Sequence, residues 1–343
     1  MTVVLEGPVR SATSPPEIHG SGRDDVRLLV AGPDGVTHAR FPDLPRFLDP
    51  GDLVVVNTSA TLPAAVTGRR PATGRRVTVH FSTALPSGDW AVELRTDAPK
   101  TGQVHDGFRG EVIELPDGRL TLLAPYPVTG SMTTRLWRAR AEVPQPMLRY
   151  LARHGRPIGY GYVPRRWPLS RYQTVFAREP GSAEMPSAGR PFTATIVTDL
   201  VTAGVTVAPI TLHTGVSSLE LGEPPLPEPY SVPEPTARLV NATLDAGHRV
   251  VAVGTTVTRA LEAVATDGGQ VRAGSGWTDL VLGPDAPARV VGGLVTGWHE
   301  PGASHRLLLD AVAGPAVVAA AYAAARRAGY LWHEFGDSAL LLP

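Results

Sequence analysis

Apolar and polar positions follow distinct rhythms along the chain. Residues 53–56 form an unbroken apolar run, Leu-Val-Val-Val, preceded by the turn Asp49-Pro50-Gly51-Asp52 and followed by Asn57-Thr58-Ser59. An apolar run between turn residues predicts a buried strand that empties into a polar loop. From about residue 67 to residue 150 the runs shorten. Residues 77–81, 90–94, 111–115 and 119–123 are β-rich, some with period-two alternation, and Pro116-Asp117-Gly118 places a tight turn between the last two. Short strands at this spacing predict a small barrel or sandwich.

Past Tyr172 strands alternate with helices. Residues 195–203 carry a helical period that stops at Gly204, and 205–212 then read as a strand; 236–246 stop at Gly247, before a strand at 249–253 and a helix at 256–265. Glycine just past a periodic run is a common helix stop. Two more helices, 304–313 and 316–328, end at Gly329, followed by a strand-like 330–335, a Gly336-Asp337 turn and the apolar run 339–342. The pattern predicts an α/β fold. A layered α/β domain is built from both chain ends, 1–66 and 151–343, with a small β-barrel domain, 67–150, inserted between them.

The length of 343 residues exceeds one ordinary core, in keeping with two domains. Lys plus Arg equals Asp plus Glu at 32 each, so no global charge announces a nucleic-acid or membrane partner. The absence of cysteine excludes a disulfide framework, thiolate metal sites and a Cys nucleophile. Residues 1–20 lack the apolar run of a signal peptide, and the Ala-rich stretch 314–325 falls well short of the ~20 residues a bilayer requires. No membrane partner and a cytoplasmic location are therefore expected.

Three strand ends carry the candidate chemistry. Val250-Val251-Ala252-Val253-Gly254-Thr255-Thr256 joins a strand to a helix through a glycine turn, where free N–H groups and hydroxyls suit a carboxylate or hydroxyl ligand; Thr255 or Thr256 serves equally as an ordinary helix cap. The three-glycine dinucleotide fingerprint and the Lys-bearing phosphate loop are absent. Pro186-Ser187-Ala188-Gly189 also precedes a helix. Thr211-Leu212-His213-Thr214-Gly215 and Thr296-Gly297-Trp298-His299-Glu300-Pro301 deliver histidines to loops at strand ends, where α/β sheets bind ligands. A histidine so placed is as readily structural as catalytic, and no pair has close metal-ligand spacing, so no metal is expected. Residues 135–171 hold nine Arg against one acid, Glu142, interleaved with Trp137, Tyr150, Tyr160, Tyr162 and Trp167. Arginine among aromatics suits phosphate contact and base stacking, with Arg135, Arg138, Arg140, Arg165 and Arg166 as candidates. An Arg-rich solvated surface is the competing explanation, since Arg outnumbers Lys 31 to 1 throughout.

In order and spacing, several segments together resemble the S-adenosylmethionine:tRNA ribosyltransferase-isomerases of queuosine biosynthesis. They are Arg27-Leu28-Leu29-Val30, the stretch from Pro50 to Thr58, Tyr172-Gln173-Thr174-Val175-Phe176-Ala177, Pro186-Ser187-Ala188-Gly189 and Thr211-Leu212-His213. The series continues with Val250 to Glu262, Gly276-Trp277-Thr278-Asp279, Leu294-Val295-Thr296 with His299 and Pro301, and Phe335-Gly336-Asp337. The resemblance implies transfer of the ribosyl part of S-adenosylmethionine to an aminomethyl-deazaguanine at the tRNA wobble position, with rearrangement to an epoxycyclopentanediol and loss of adenine and methionine. Such a reaction needs a base for the proton beside the sulfonium, help for departing adenine, and fixed partners for the methionine and ribose groups. His213 or His299 is the expected proton-transfer residue, with Glu228 and Asp279 as further acids. Asn57, Thr58, Gly254, Thr255, Thr256, Arg259 and Thr296 are expected to position the donor, and Tyr172, Gln173, Thr174, Ser187, Ala188 and Gly189 to line the same cleft.

The sequence also departs from the family pattern. Pro-Thr-Ala-Gly-Leu-His-Phe reads here Pro186-Ser187-Ala188-Gly189-Arg190-Pro191-Phe192, so a histidine is replaced by Pro191. Asn-Asn-Thr-Arg becomes Asn57-Thr58-Ser59-Ala60, losing an Arg. Leu-His-Val-Gly-Ala-Gly-Thr-Phe becomes the run from Leu212 to Leu219, losing a glycine, and Thr-Asn-Phe-His is Thr296-Gly297-Trp298-His299. The His-rich stretch before Ser-Glu-Tyr reads Glu223-Pro224-Pro225-Leu226-Pro227-Glu228-Pro229-Tyr230, without histidine. These changes keep two alternatives open beside the tRNA reaction: a paralogue that uses S-adenosylmethionine on a different, small-molecule acceptor, and a non-catalytic RNA-binding module.

Overall fold

The computed structural model describes residues 9–97, 102–127, 135–216, 225–299 and 304–343. Its centre is a nine-stranded sheet. The strands run in the order Gly274–Thr278, Glu228–Val232, Thr206–Leu212, Leu53–Asn57, Val250–Val253, Gly293–Gly297, Ser338–Leu341, Arg27–Gly32 and Gly35–Arg40. The four in the middle, from Thr206–Leu212 to Gly293–Gly297, are mutually parallel. A central parallel strand is covered on both faces, which is why residues 53–56 read as a continuous apolar run rather than an alternating one. Leu53 and Val55 join the core on one face with the helices Glu234–Asp245, Thr255–Ala263 and Pro315–Arg327. Val54 and Val56 join the opposite core with Phe41, Leu44 and the helix Ala194–Thr202. All four side chains are essentially inaccessible, each contributing about 1.5–3 kcal/mol of burial.

The second body is a closed barrel of six antiparallel strands, Gly118–Tyr126, Leu136–Glu142, Trp90–Thr96, Arg76–Ala84, Ala65–Arg69 and Val112–Leu115. Its core of Val79, Phe81, Val92, Leu94 and Leu120 also takes in Ala183, Val216 and Leu226 from loops that border the sheet. The barrel is thereby seated beside the sheet's loop edge.

The helices end as the periodicity predicts: Ala194–Thr202 and Glu234–Asp245 stop short of Gly204 and Gly247, whose φ angles of 82° and 77° lie where glycine alone is unstrained. Two details differ from the sequence reading. Residues 330–335 pair only over Leu331–Trp332, because His333 turns to φ 72° and breaks the extended run. The strands Gly35–Arg40, Glu228–Val232 and Gly274–Thr278 carry no long apolar run; each is a peripheral antiparallel strand, and the last two contain Pro229 or Gly276. Among the described residues no single helix is long and apolar enough to cross a membrane, and the pair His305–Ala313 and Pro315–Arg327 is bent by 118°.

Candidate active site

The parallel strands fix where the loops meet. Leu53–Asn57, Thr206–Leu212, Val250–Val253 and Gly293–Gly297 all finish at one edge of the sheet, delivering Thr58, His213, Gly254 and His299 there. Antiparallel neighbours add loops to the same edge. Ser338 pairs with Gly297, so the turn before it arrives beside the end of Gly293–Gly297. Tyr230 pairs with Leu212 and Glu228 with Thr278, which brings Glu228 and the end of Gly274–Thr278 there too. A cleft lies at this edge, lined on the sheet side by Ser187, Ala188, Gly254, Thr255, Thr256, Arg259, Thr296 and His299, and towards the barrel by Thr214, Val216, Leu226 and Glu228. Ligands of open α/β sheets bind at this position, outside the carboxyl ends of the strands.

Gly254 opens the helix Thr255–Ala263 at φ 92° and ψ 159°, with no side chain capping the first turn. The unsatisfied N–H groups and the positive end of the helix dipole therefore face the cleft. An added Cβ would sit 3.3 Å from the Ala188 Cβ. Gly254→Ala is expected to lower the unfolding free energy by about 1–3 kcal/mol through backbone strain, measurable as a reduced urea midpoint. Behind this turn Asn57 donates from Nδ2 to the Leu212 carbonyl at 2.8 Å and to Thr256 Oγ1 at 3.2 Å, while its Oδ1 accepts from the N–H groups of Ser59 and Leu212. One buried amide thus ties three strand ends together.

His299 is enclosed. Its ring stacks on His305 at 4.7 Å between centroids, its Nε2 lies 3.3 Å from Thr296 Oγ1, and its backbone N–H faces the Tyr322 hydroxyl. Burial, reinforced by His305 and His333, holds the imidazole well below the usual histidine range, so it is neutral at pH 7. His213 stands one residue outside the cleft lining. Its Nδ1 is 2.7 Å from Ser59 Oγ, which is 2.6 Å from Ser182 Oγ, and burial lowers its pKa against the opposing pull of Glu179.

Glu228 is mostly buried and clamped. One oxygen accepts from the Gly215 N–H at 3.1 Å and the other from Arg259 Nη1; burial raises its pKa, partly offset by Arg259. Arg259 also donates from Nε to the carbonyl of Leu280 and from Nη2 to those of Leu226 and Thr278. These contacts tie it to the loops around it while it lines the cleft.

The other expected residues lie elsewhere in the structure. Thr58 donates to the Ile210 carbonyl and pairs with Thr211, Gln173 clasps the backbone of Thr61, and Thr174 is buried against Gly189; these support the cleft from behind. Tyr172 belongs to a separate aromatic cluster with Phe335 and Tyr160. Asp279 is exposed and outside the lining. Arg135 is buried on Glu93, and Arg138 and Arg140 flank Asp89 on the barrel, whereas Arg165 and Arg166 are exposed, Arg165 over the Trp167 ring at 4.1 Å. Pro191 is buried and outside the lining. Beside it, Arg190 is shut against Glu17 at 2.7 Å and the Phe335 ring. Glu300, Pro301 and the altered positions 217–219 and 223–224 lie outside the described residues.

Sequence reasoning missed three ionisable lining residues, His305, Glu184 and Glu334. The first begins an ordinary amphipathic helix, and the other two sit in irregular turns with no periodicity to mark them. Among the described residues no three His, Asp or Glu side chains form a metal-binding group.

Comparison with known proteins bears on this cleft. A family model described as a queuosine biosynthesis protein matches residues 8–341. The S-adenosylmethionine:tRNA ribosyltransferase-isomerase of Moorella thermoacetica is 36% identical over 333 residues, covering 93% of this chain and 94% of that one. The protein of the same name from Thermus thermophilus is 35% identical over 341 residues, covering 93% of each. The crystal structure of an S-adenosylmethionine tRNA ribosyltransferase from Thermotoga maritima superposes with a TM-score of 0.53 at 26% identity, covering 98% of this chain and 99% of that one.

Proposed function

The chain belongs to the queuosine biosynthesis family, and on that premise we propose that its cleft binds S-adenosylmethionine and transfers the ribosyl group to the aminomethyl-deazaguanine of a tRNA, forming epoxyqueuosine. The observation that carries this reading is the convergence of strand ends from distant parts of the sequence on one cleft that holds an uncapped helix start and a neutral histidine.

Each group has work suited to its chemistry. The N–H groups at Thr255 and Thr256 suit the methionine carboxylate, with Asn57 fixing the Thr256 hydroxyl. His299, kept unprotonated, takes the proton from the carbon beside the sulfonium. The Glu228–Arg259 pair holds the wall between Gly215 and the Gly274–Thr278 strand rigid, and His213 with Ser59 and Ser182 braces the neighbouring loop. The tRNA approaches over Arg165, Arg166 and the ring stack Tyr160, Tyr162 and His333, which abuts the turn beside the cleft. The barrel acts as an inserted domain, residues 67–150, and the enzyme works in the cytoplasm, where its RNA substrate resides. Neither the small-acceptor reading nor the non-catalytic one gains an observation of its own.

Incubation with S-adenosylmethionine and tRNA bearing the aminomethyl base is expected to release adenine and to yield epoxyqueuosine in the digested RNA by mass spectrometry. Adenine release without any change in the RNA would overturn the assignment of the acceptor.

A further inference from the structure

Among the described residues, one carboxylate in the cleft is paired with no cation. Glu334 lines the cleft from the turn after Leu331–Trp332, and its Oε2 is sealed from solvent without a hydrogen-bond partner. Glu228, by contrast, is held by Arg259 and the Gly215 N–H, and among the described residues Arg259 is the only arginine in the lining. Among the described residues, Tyr160 lies near Glu334 and His333 precedes it in sequence, while Glu184, His299 and His305 stand elsewhere in the lining. Burial, then the nearby Glu184 and Glu334 carboxylates, push the Tyr160 hydroxyl well above its ordinary range, so it stays neutral. Burial likewise keeps His299 and His305 uncharged at pH 7. A buried carboxylate in such company either meets a cation or gives up its charge by taking a proton. Burial pushes Glu334 up to about 7.

The ligand of the proposed reaction has the complementary imbalance. The carboxylate and ammonium of S-adenosylmethionine cancel, leaving one net positive charge at the sulfonium. Building on the reading that this cleft holds S-adenosylmethionine, we propose that the Glu334 carboxylate pairs with the sulfonium, making Glu334 the residue by which the cleft distinguishes S-adenosylmethionine from its uncharged thioether, S-adenosylhomocysteine. Binding then requires the ionised form, so the free protein must release a proton from Glu334 as the cation enters. The sign follows. Affinity for the sulfonium rises by about tenfold per pH unit while pH is below the free group's value and levels off above it, whereas affinity for the thioether shows no such rise.

The test is titration calorimetry of the full chain with each ligand between pH 5.5 and 8, for the wild type, Glu334→Gln and Glu334→Asp. The wild type is expected to prefer the sulfonium, with the inflection near neutrality. Glu334→Gln should bind S-adenosylmethionine about tenfold or more weakly at pH 8, lose the inflection and most of the preference, and keep its affinity for S-adenosylhomocysteine, which also shows that the variant is folded. Glu334→Asp, retaining the charge, should keep the preference. Both ligands carry an α-amine, and the lower-lying histidines remain in all three proteins. An unchanged pH profile and an unchanged ratio of the two affinities in Glu334→Gln would overturn the role of Glu334 while leaving the proposed reaction standing. A wild type that binds neither ligand would remove the proposed reaction itself, and this inference with it.

Discussion

His299→Ala is expected to lower kcat for adenine release by about 100-fold or more while S-adenosylmethionine binding changes little, because a general base acts on the barrier rather than on the bound ground state. The expectation comes from the enclosure of the ring. His299 stacks on His305, faces Thr296, and is kept neutral mainly by burial, so the form able to accept a proton is already the resting form at pH 7. A sulfonium beside it favours the neutral ring further, since a second positive charge there would be repelled. The pH dependence has a definite sign. Loss of kcat through protonation of His299 should appear only as pH falls below the ordinary histidine value of about 6.5, and kcat should be flat through neutrality. The profile of kcat/KM reports the free protein instead, so it should carry an additional acid limb near 7 from Glu334 that Glu334→Gln removes. His213→Ala serves as the comparison. Its ring is committed to Ser59 one residue behind the lining, and its loss should cost far less in kcat. Equal losses in the two variants, or a wild-type kcat that falls through pH 7, would remove His299 as the base.

Much of this arrangement was legible in the sequence, and the reason differs by element. The run 53–56 could be read because a strand covered on both faces has no polar side to interrupt it, and the helix stops at Gly204 and Gly247 because the left-handed backbone there excludes most other residues. The strand ends before Gly254, His213 and His299 were legible because a buried apolar run that gives way to glycine or polar residues marks the sheet edge. What remained hidden depends on long-range geometry. Glu334 reaches the cleft only because His333 breaks the strand and Ser338 pairs antiparallel with Gly297, neither of which leaves a periodic trace. Arg135 could not be told from Arg165 by its neighbours in sequence, since its burial is decided by Glu93 on another barrel strand. Pro191 stands in sequence where the family pattern has a proton-transferring ring. Its side chain lies outside the lining, beside the buried Arg190–Glu17 pair, while the cleft has two histidines in contact with one another.

Arg259→Met is expected to lower the unfolding free energy by about 3–5 kcal/mol, the range seen when one partner of a buried ion pair is removed. The guanidinium is almost fully buried, and all its described contacts are internal: Glu228 on one side and the carbonyls of Leu226, Thr278 and Leu280 on the others. Methionine fills much of the volume and supplies none of the donors, so the substitution leaves a buried carboxylate and three carbonyls without their partner. Most of the cost should therefore lie in the stranded Glu228 rather than in lost packing. The double variant Glu228→Gln/Arg259→Met tests this directly: with the charge gone, it should recover part of the stability, giving a coupling of up to about 3 kcal/mol in a double-mutant cycle of urea midpoints. The same variants separate the keystone from an anchor for the ligand's carboxylate. An anchor would show as a raised KM in Arg259→Met with stability unchanged, and neutralising Glu228 could not restore it. A keystone shows as lost stability that the second substitution partly returns, because the contacts Arg259 makes are all with the protein's own loops.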